Sequence, residues 1–250
     1  MRIGLYVDAF NVYYGAKTQC KGSGADGWKW LDLPAVVEAK WPNQWRQFAP
    51  VLHRFVYCTA DRNREGDPSS LQDQHAYIAG LGAKYQTMLV EHGYYVSRMK
   101  SGVLIDRRQR RPQRVSSPGL SLLPTWLDAS EVSSPSGGPD ELLVAVTTFE
   151  EKGSDVNVAS HLLADVFSGT IDAAIVVSND SDLAVPLRMA RDRVPVGTVN
   201  PTSRYLAKAL AGESDNTLAA SHWWARLSEP DFRRHQLPNP SGPHARPAGW

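Results

Sequence analysis

Ile171-Asp172-Ala173-Ala174-Ile175-Val176-Val177-Ser178-Asn179-Asp180-Ser181-Asp182 decides how this chain is read. Its apolar centre is too short for a helix. It is closed on the far side by Ser178, Asn179, Asp180 and Asp182. A short unbroken apolar run bounded by turn residues reads as a strand buried on both faces, the kind found in parallel sheets. A second run of this type, Arg2-Ile3-Gly4-Leu5-Tyr6-Val7, ends at Asp8. Val51 to Thr59, Tyr94 to Met99 and Val194 to Val199 add three more. Helical spacing fills the gaps. Asn11 to Lys17 reads as a short helix, and Leu33 to Lys40 as another with Pro34 in its first turn. A long helix is expected from Ser69 or Ser70 to about His92, closed by Gly93. Another starts at Ser154 or Asp155 and runs to Phe167, with Val156, Ala159, Leu162, Leu163 and Val166 on one face. Leu183 to Asp192 and Ser203 to Leu210 read as two more. Alternation of this kind predicts an α/β fold with a mainly parallel central sheet and helices on both faces.

The chain has 250 residues, 42% of them hydrophobic, enough for a sizeable core. Its formal net charge of +1 leaves any nucleic-acid contact to a local basic patch. Residues 1–227 read as one domain. Within it, 101–140 is rich in Ser, Pro, Gly and Arg and reads as an irregular basic insertion. Residues 228–250 hold Pro230, Pro238, Pro240, Pro243 and Pro247, and read as a tail or a strap over the domain. No apolar run approaches the roughly 18 residues of a membrane span, so no membrane partner is expected. The opening strand leaves no secretory segment. Cys20 and Cys58 lack zinc-like spacing, and Cys58 reads as a buried thiol. A reducing cytoplasm is the simplest setting.

Four carboxylates, Asp8, Asp155, Asp180 and Asp182, sit where apolar runs stop or start. Beyond the strand ends of an open α/β sheet, such groups gather in one crevice. There they repel unless a cation lies among them. Mg²⁺ or Mn²⁺ fits hard oxygen donors and would activate a water for phosphoryl chemistry. Asp8, Asp155 and Asp180 are the expected ligands, with Asp182 completing the site. The structural alternative is a helix cap, which explains Asp155 and Asp182 most readily. Asp8 ends its strand with no clear capping pattern. The histidines are scattered, no glycine-rich phosphate loop follows the first strand, and no Gly-x-Ser-x-Gly elbow occurs.

Three blocks resemble those of NYN domains, within the PIN-like nuclease superfamily. Val7-Asp8-Ala9-Phe10-Asn11 resembles their first-strand Asp-Gly-x-Asn. Phe149-Glu150-Glu151-Lys152-Gly153-Ser154-Asp155-Val156 is similar to Glu-Lys-Gly-Val-Asp-Val. Val177-Ser178-Asn179-Asp180-Ser181-Asp182-Leu183 resembles Val-Ser-Gly-Asp-Ser-Asp-Phe. Ala9, Ser154, Asn179 and Leu183 depart from the pattern, but no carboxylate is lost. The resemblance implies a PIN-like Rossmannoid three-layer α/β/α sandwich and a metal-dependent endoribonuclease. It makes Asp8, Asp155 and Asp180 the metal ligands, with Asn11, Ser178 and Asp182 as supporting polar groups. Lys152 and the cluster Arg107, Arg108, Arg110, Arg111 and Arg114 are then expected to hold RNA, single-stranded or structured. Tyr13, Tyr14, Trp28 and Trp30 offer faces for base stacking, or serve as core and lid packing. The rival readings are a non-catalytic RNA-binding module and another metal-dependent phosphoesterase. The oligomeric state stays open, a homodimer among the options.

Overall fold

The computed structural model describes the chain except for residues 22–26, 62–67, 109–110, 112, 116–122, 125, 136 and 212–221. It forms two compact units, Met1–Tyr94 with Lys152–Trp250, and Tyr95–Glu151.

The first unit opens with β1 (Arg2–Asp8) and α1 (Ala9–Gln19), then α2 (Leu33–Glu38), α3 (Asn43–Arg46), β2 (Val51–Thr59), α4 (Pro68–Lys84) and β3 (Met88–His92). The chain then passes through β4 (Tyr94–Val103), β5 (Ile105–Asp106), β6 (Gln113–Arg114), β7 (Ala129–Val132) and β8 (Glu141–Lys152). It returns as α5 (Ser154–Phe167), β9 (Ala173–Val177), a 3-10 turn (Ser181–Leu183) and α6 (Ala184–Arg191). The last elements are β10 (Val196–Asn200), α7 (Lys208–Ala211), β11 (Trp223–Arg226) and α8 (Glu229–Arg234).

The main sheet has the order β11-β10-β9-β1-β2-β3, and every pairing is parallel. Side chains alternate across it. Ile3, Leu5, Val7, Ala173, Ile175 and Val177 enter one core, with α1, α2 and Trp45. Tyr6, Ala174 and Val176 enter the other, with Val158 and Leu162 of α5 and Leu187 of α6. The expected α/β class with a parallel sheet covered on both faces is what forms. A buried polar tie crosses the second core: the Tyr6 hydroxyl donates to Asp165 Oδ2 at 2.8 Å, and Arg54 Nε donates to the same oxygen at 2.6 Å. Burial first, and then the Asp165 charge, hold the Tyr6 phenol protonated far above its ordinary range.

Three expectations are revised. The long helix stops at Lys84, and Met88–His92 is a strand instead, with Phe55 of β2 opposite Met88. The apolar Met88, Leu89 and Val90 satisfy a helix pattern equally well, and the exposed edge of β2 decides between them. The helix expected over 203–210 shrinks to Lys208–Ala211. Asn179 Nδ2 donates to Tyr205 O at 3.1 Å, Asn200 Nδ2 to Arg204 O at 2.8 Å, and Ala207 N to Asn179 Oδ1 at 2.8 Å. These side chains take backbone groups that a helix would have used. Finally, the segment after Ser228 begins with regular structure: α8, held by a capping box of Ser228 and Asp231. Beyond it Leu237 and Ser241 are buried, Ser241 Oγ donates to Gly80 O at 2.7 Å, and Trp30 Nε1 donates to Pro238 O at 2.9 Å. The strap is part of the first unit.

The second unit is built on a three-stranded sheet of order β4-β8-β7 and the small antiparallel pair β5–β6. Among the described residues, no helix is long and apolar enough to cross a membrane.

Gly15 of α1 sets how closely that helix packs on the loop after β10. A Cβ there would stand 2.3 Å from Pro201 O. Gly15→Ala is therefore expected to lower stability by roughly 1–3 kcal/mol, read as a shift in the denaturant midpoint at constant slope.

Candidate functional site

From β1 the chain builds the sheet outward through β2 and β3; from β9 it builds the opposite way through β10 and β11. The junction of β1 and β9 is a topological switch point, the place where open parallel sheets hold ligands beyond their carboxyl ends. Asp8 and Ser178 lie there, with Asn11, Asn179 and Asp180 beside them. Asp8 is only 6% exposed. Its Oδ1 accepts from Asn11 N at 3.0 Å and its Oδ2 from Ser178 Oγ at 3.1 Å. Ser178 Oγ in turn accepts from Asp180 N at 3.1 Å, and Asn11 Oδ1 accepts from Asn179 N at 3.0 Å. Asp180 Oδ1 accepts from Asp182 N at 3.0 Å.

The structure thus joins Asp8, Asn11, Ser178 and Asp180 in one network, but as caps. Asp8 is the N-cap of α1, and Asp180 that of the 3-10 turn. The capping role that the sequence did not suggest for Asp8 is the one it plays. Asp182 is exposed, and Asp155 stands in the first turn of α5, where the N-cap is Gly153. Among the described residues, no three His, Cys, Asp or Glu side chains come together as a metal would need. As they stand, the described donors do not form the Mg²⁺ or Mn²⁺ centre that the spacing suggested.

The arginine cluster lies in the second unit. Arg114 pairs with the buried Glu141 at 2.9 Å, and Arg108 with Asp106 at 2.8 Å. The Arg108 hydrogen bond holds the Asp106 carboxyl down at about 2. Two of the five arginines are thereby committed to acids of their own. Arg107 and Arg111 are exposed, and Arg110 lies outside the described residues. Lys152 is exposed at the end of β8.

A second feature of the first unit escaped the sequence. Between α1, α4 and the carboxyl end of β2 opens a cleft of about 300 Å³, walled by Tyr13, Trp28, Tyr57, Tyr77 and Trp250. The rings pack as a series: Tyr13 on Trp28 with centroids 5.8 Å apart, and Tyr77 on Trp250 at 6.0 Å. Lys17 Nζ lies 5.7 Å from the Tyr13 ring centre, and Lys29 Nζ lies 5.9 Å from that of Trp28 and 5.3 Å from that of Trp250. Asp73 also lines the cleft, and its Oδ2 accepts from Trp250 Nε1 at 3.1 Å. The Tyr57 and Tyr77 phenols are pushed well up by burial, Tyr57 further by the nearby Asp8 charge and Tyr77 by Tyr57. Both stay neutral through the physiological range and offer hydroxyl groups, not phenolates. Tyr13 and Trp28 were visible as a front aromatic group. Nothing in the sequence connects them with Asp73, Tyr77 and Trp250.

No protein-family model matches the chain. It is 26% identical, over all of its length and 75% of the relative's, to the 6-hydroxy-3-succinoylpyridine 3-monooxygenase HspA of Pseudomonas putida (strain DSM 28022 / S16). A solved structure of a protein of unknown function from Vibrio parahaemolyticus RIMD 2210633 aligns over 92% of this chain and 94% of that one. Its TM-score is 0.45 at 15% identity, a likeness too slight to bear on fold or function. The similarity to a monooxygenase overturns the expectation of a metal-dependent ribonuclease. The named activity is an oxidation of a small molecule, not phosphodiester hydrolysis.

The capping role of Asp8 has a direct check. Asp8→Ala removes the acceptor for both Asn11 N and Ser178 Oγ and is expected to cost about 1–3 kcal/mol. Asp8→Asn keeps an N-cap acceptor and is expected to cost less. Urea unfolding of the two variants gives the comparison; equal losses would count against the cap.

Proposed function

We propose that this chain is an oxidoreductase of the monooxygenase kind, taking a small aromatic acid into the cleft between α1, α4 and β2. The observation that carries this reading is the cleft itself: aromatic walls with Lys17 and Lys29 set against them. The similarity to the Pseudomonas enzyme, over all of this chain and 75% of that one, supports the reaction class. The compound in that enzyme's name joins a hydroxylated pyridine ring to a succinoyl arm that ends in a carboxylate. Tyr13, Trp28 and Tyr77 suit the ring, because offset and edge-on aromatic contacts add to burial of its faces. The lysines suit the arm.

A monooxygenation of this type forms a carbon–oxygen bond at a ring carbon, using one atom of dioxygen. The second oxygen atom becomes water with two electrons and two protons from a reductant. This chain's residues bind the ring, orient it and keep water from its faces. A dinucleotide reductant is not fitted at the β1–α1 crossover. There Asp8 already takes the Asn11 N–H that a pyrophosphate would use, and its charge would repel the phosphates. The NYN-like blocks are read as belonging to the scaffold: they place Asp8 and Asp180 as caps at the switch point of a PIN-like layout.

The test is isotopic. Purified protein, 6-hydroxy-3-succinoylpyridine and ¹⁸O₂, with a reduced nicotinamide in one arm and a reduced flavin in another, are expected to yield in at least one arm a product carrying one ¹⁸O atom, seen by mass spectrometry. A product with no label from dioxygen, or no product at all, would overturn the reading.

A further inference from the structure

We infer that the cleft selects its ligand by two separate polar contacts. Lys17 and Lys29 together grip a carboxylate arm, and the Tyr57 hydroxyl reads a polar substituent on the ring. The inference rests on the proposed function for the ring's identity, but it concerns binding and not oxidation.

Lys17 and Lys29 are half-buried, and neither makes an ion pair among the described residues. Both lie against aromatic faces, which shield an ammonium from water on one side. Tyr13 and Trp28, packed on each other, connect the two lysine positions. A carboxylate lying over that ring pair would meet positive charge from both ends. Asp73 is the one acid among the described lining residues. It is turned to the Trp250 indole, so the lysines, not Asp73, face an incoming anion.

On the sheet side the situation differs. Tyr57 is 6% exposed and lines the cleft, and its hydroxyl makes no hydrogen bond among the described residues. Its neighbour Tyr77 donates to Leu31 O at 2.7 Å. A buried phenol left open on a cleft wall is costly unless a ligand supplies its partner. Burial keeps Tyr57 protonated, so it donates to a ring oxygen or nitrogen and accepts from a ring hydroxyl or N–H. An aromatic that bears a ring hydroxyl and an acid arm satisfies both contacts at once. A neutral aromatic without a ring hydroxyl satisfies neither.

The test measures equilibrium binding without reductant, by quenching of tryptophan fluorescence. Its probes are 6-hydroxy-3-succinoylpyridine, its neutral methyl ester, and 3-succinoylpyridine, which lacks the ring hydroxyl. The acid is expected to bind about tenfold or more tighter than the ester, the span of a hydrogen bond to a charged group. Lys17→Gln and Lys29→Gln are expected to erase that preference while leaving ester binding unchanged. Tyr57→Phe, which conserves the ring's shape, is expected to erase the preference for the hydroxylated ring and leave the acid–ester difference intact. Equal binding of acid and ester, preferences that survive these substitutions, or no binding of any probe would overturn the inference. The outcomes separate from those of the isotope experiment. Acid-selective binding without labelled product sinks the oxygenase reading alone. Labelled product without acid selectivity sinks the present inference alone.

Discussion

The parallel pairing of β1 on both of its edges is the constraint from which the rest of the first unit follows. Leu5 sits between Phe55 of β2 and Ile175 of β9, and Val7 between Tyr57 and Val177. With both edges occupied, β1 has no freedom to shift register without turning its whole apolar set to the wrong core. Ile3, Leu5 and Val7 go one way and Tyr6 the other, where Asp165, itself held by Arg54, accepts from its hydroxyl group. The carboxyl end of β1 is therefore fixed in space, and so is the start of α1.

Helix α1 converts that fixed point into a site. Its first turn hangs on the Asp8 carboxylate. Its packing on the Pro201 backbone is close enough to demand Gly15. One turn further along, Tyr13 and Lys17 form one wall of the cleft. The same carboxylate that caps the helix also bears on Tyr57, adding to the burial that holds its phenol neutral. Switch point and cleft are thus two sides of one helix. This also shows what engages the strand-end carboxylates in the fold. The Asp8 and Asp180 oxygens are engaged by N–H and O–H groups of the turns they begin. A strand that ends in Asp and runs straight into a helix satisfies the helix's orphan N–H groups first.

Much of the fold was legible because its signals are local. β2 runs over the nine residues expected of it, and α5 starts and stops where its apolar stripe does. Elsewhere local signals were balanced. Met88–His92 has no breaker to separate it from α4 except the stretch after Lys84, and only an open edge on β2 makes it a strand. Ser203–Ala207 looked helical until Asn179 and Asn200, distant in one case and near in the other, claimed its backbone groups. Asp8 read from sequence as a ligand because it shows no clear capping pattern, yet it is the N-cap of α1, since both uses put a carboxylate at a strand end.

By itself, the sequence determined the α/β class, the buried strands and the grouping of Asp8, Asn11, Ser178 and Asp180 at one end of the sheet. Apolar periodicity and turn residues act over a few positions, and parallel strands must place their carboxyl ends together. Tertiary structure alone decided what that end is for. It turned the carboxylates into caps and paired Arg108 and Arg114 with their own acids. It also carried Asp73, Tyr77 and Trp250 to the side of Tyr13 and Trp28. A cleft is made by residues far apart in the chain, and its chemistry depends on which groups are left without partners once folding has satisfied the rest.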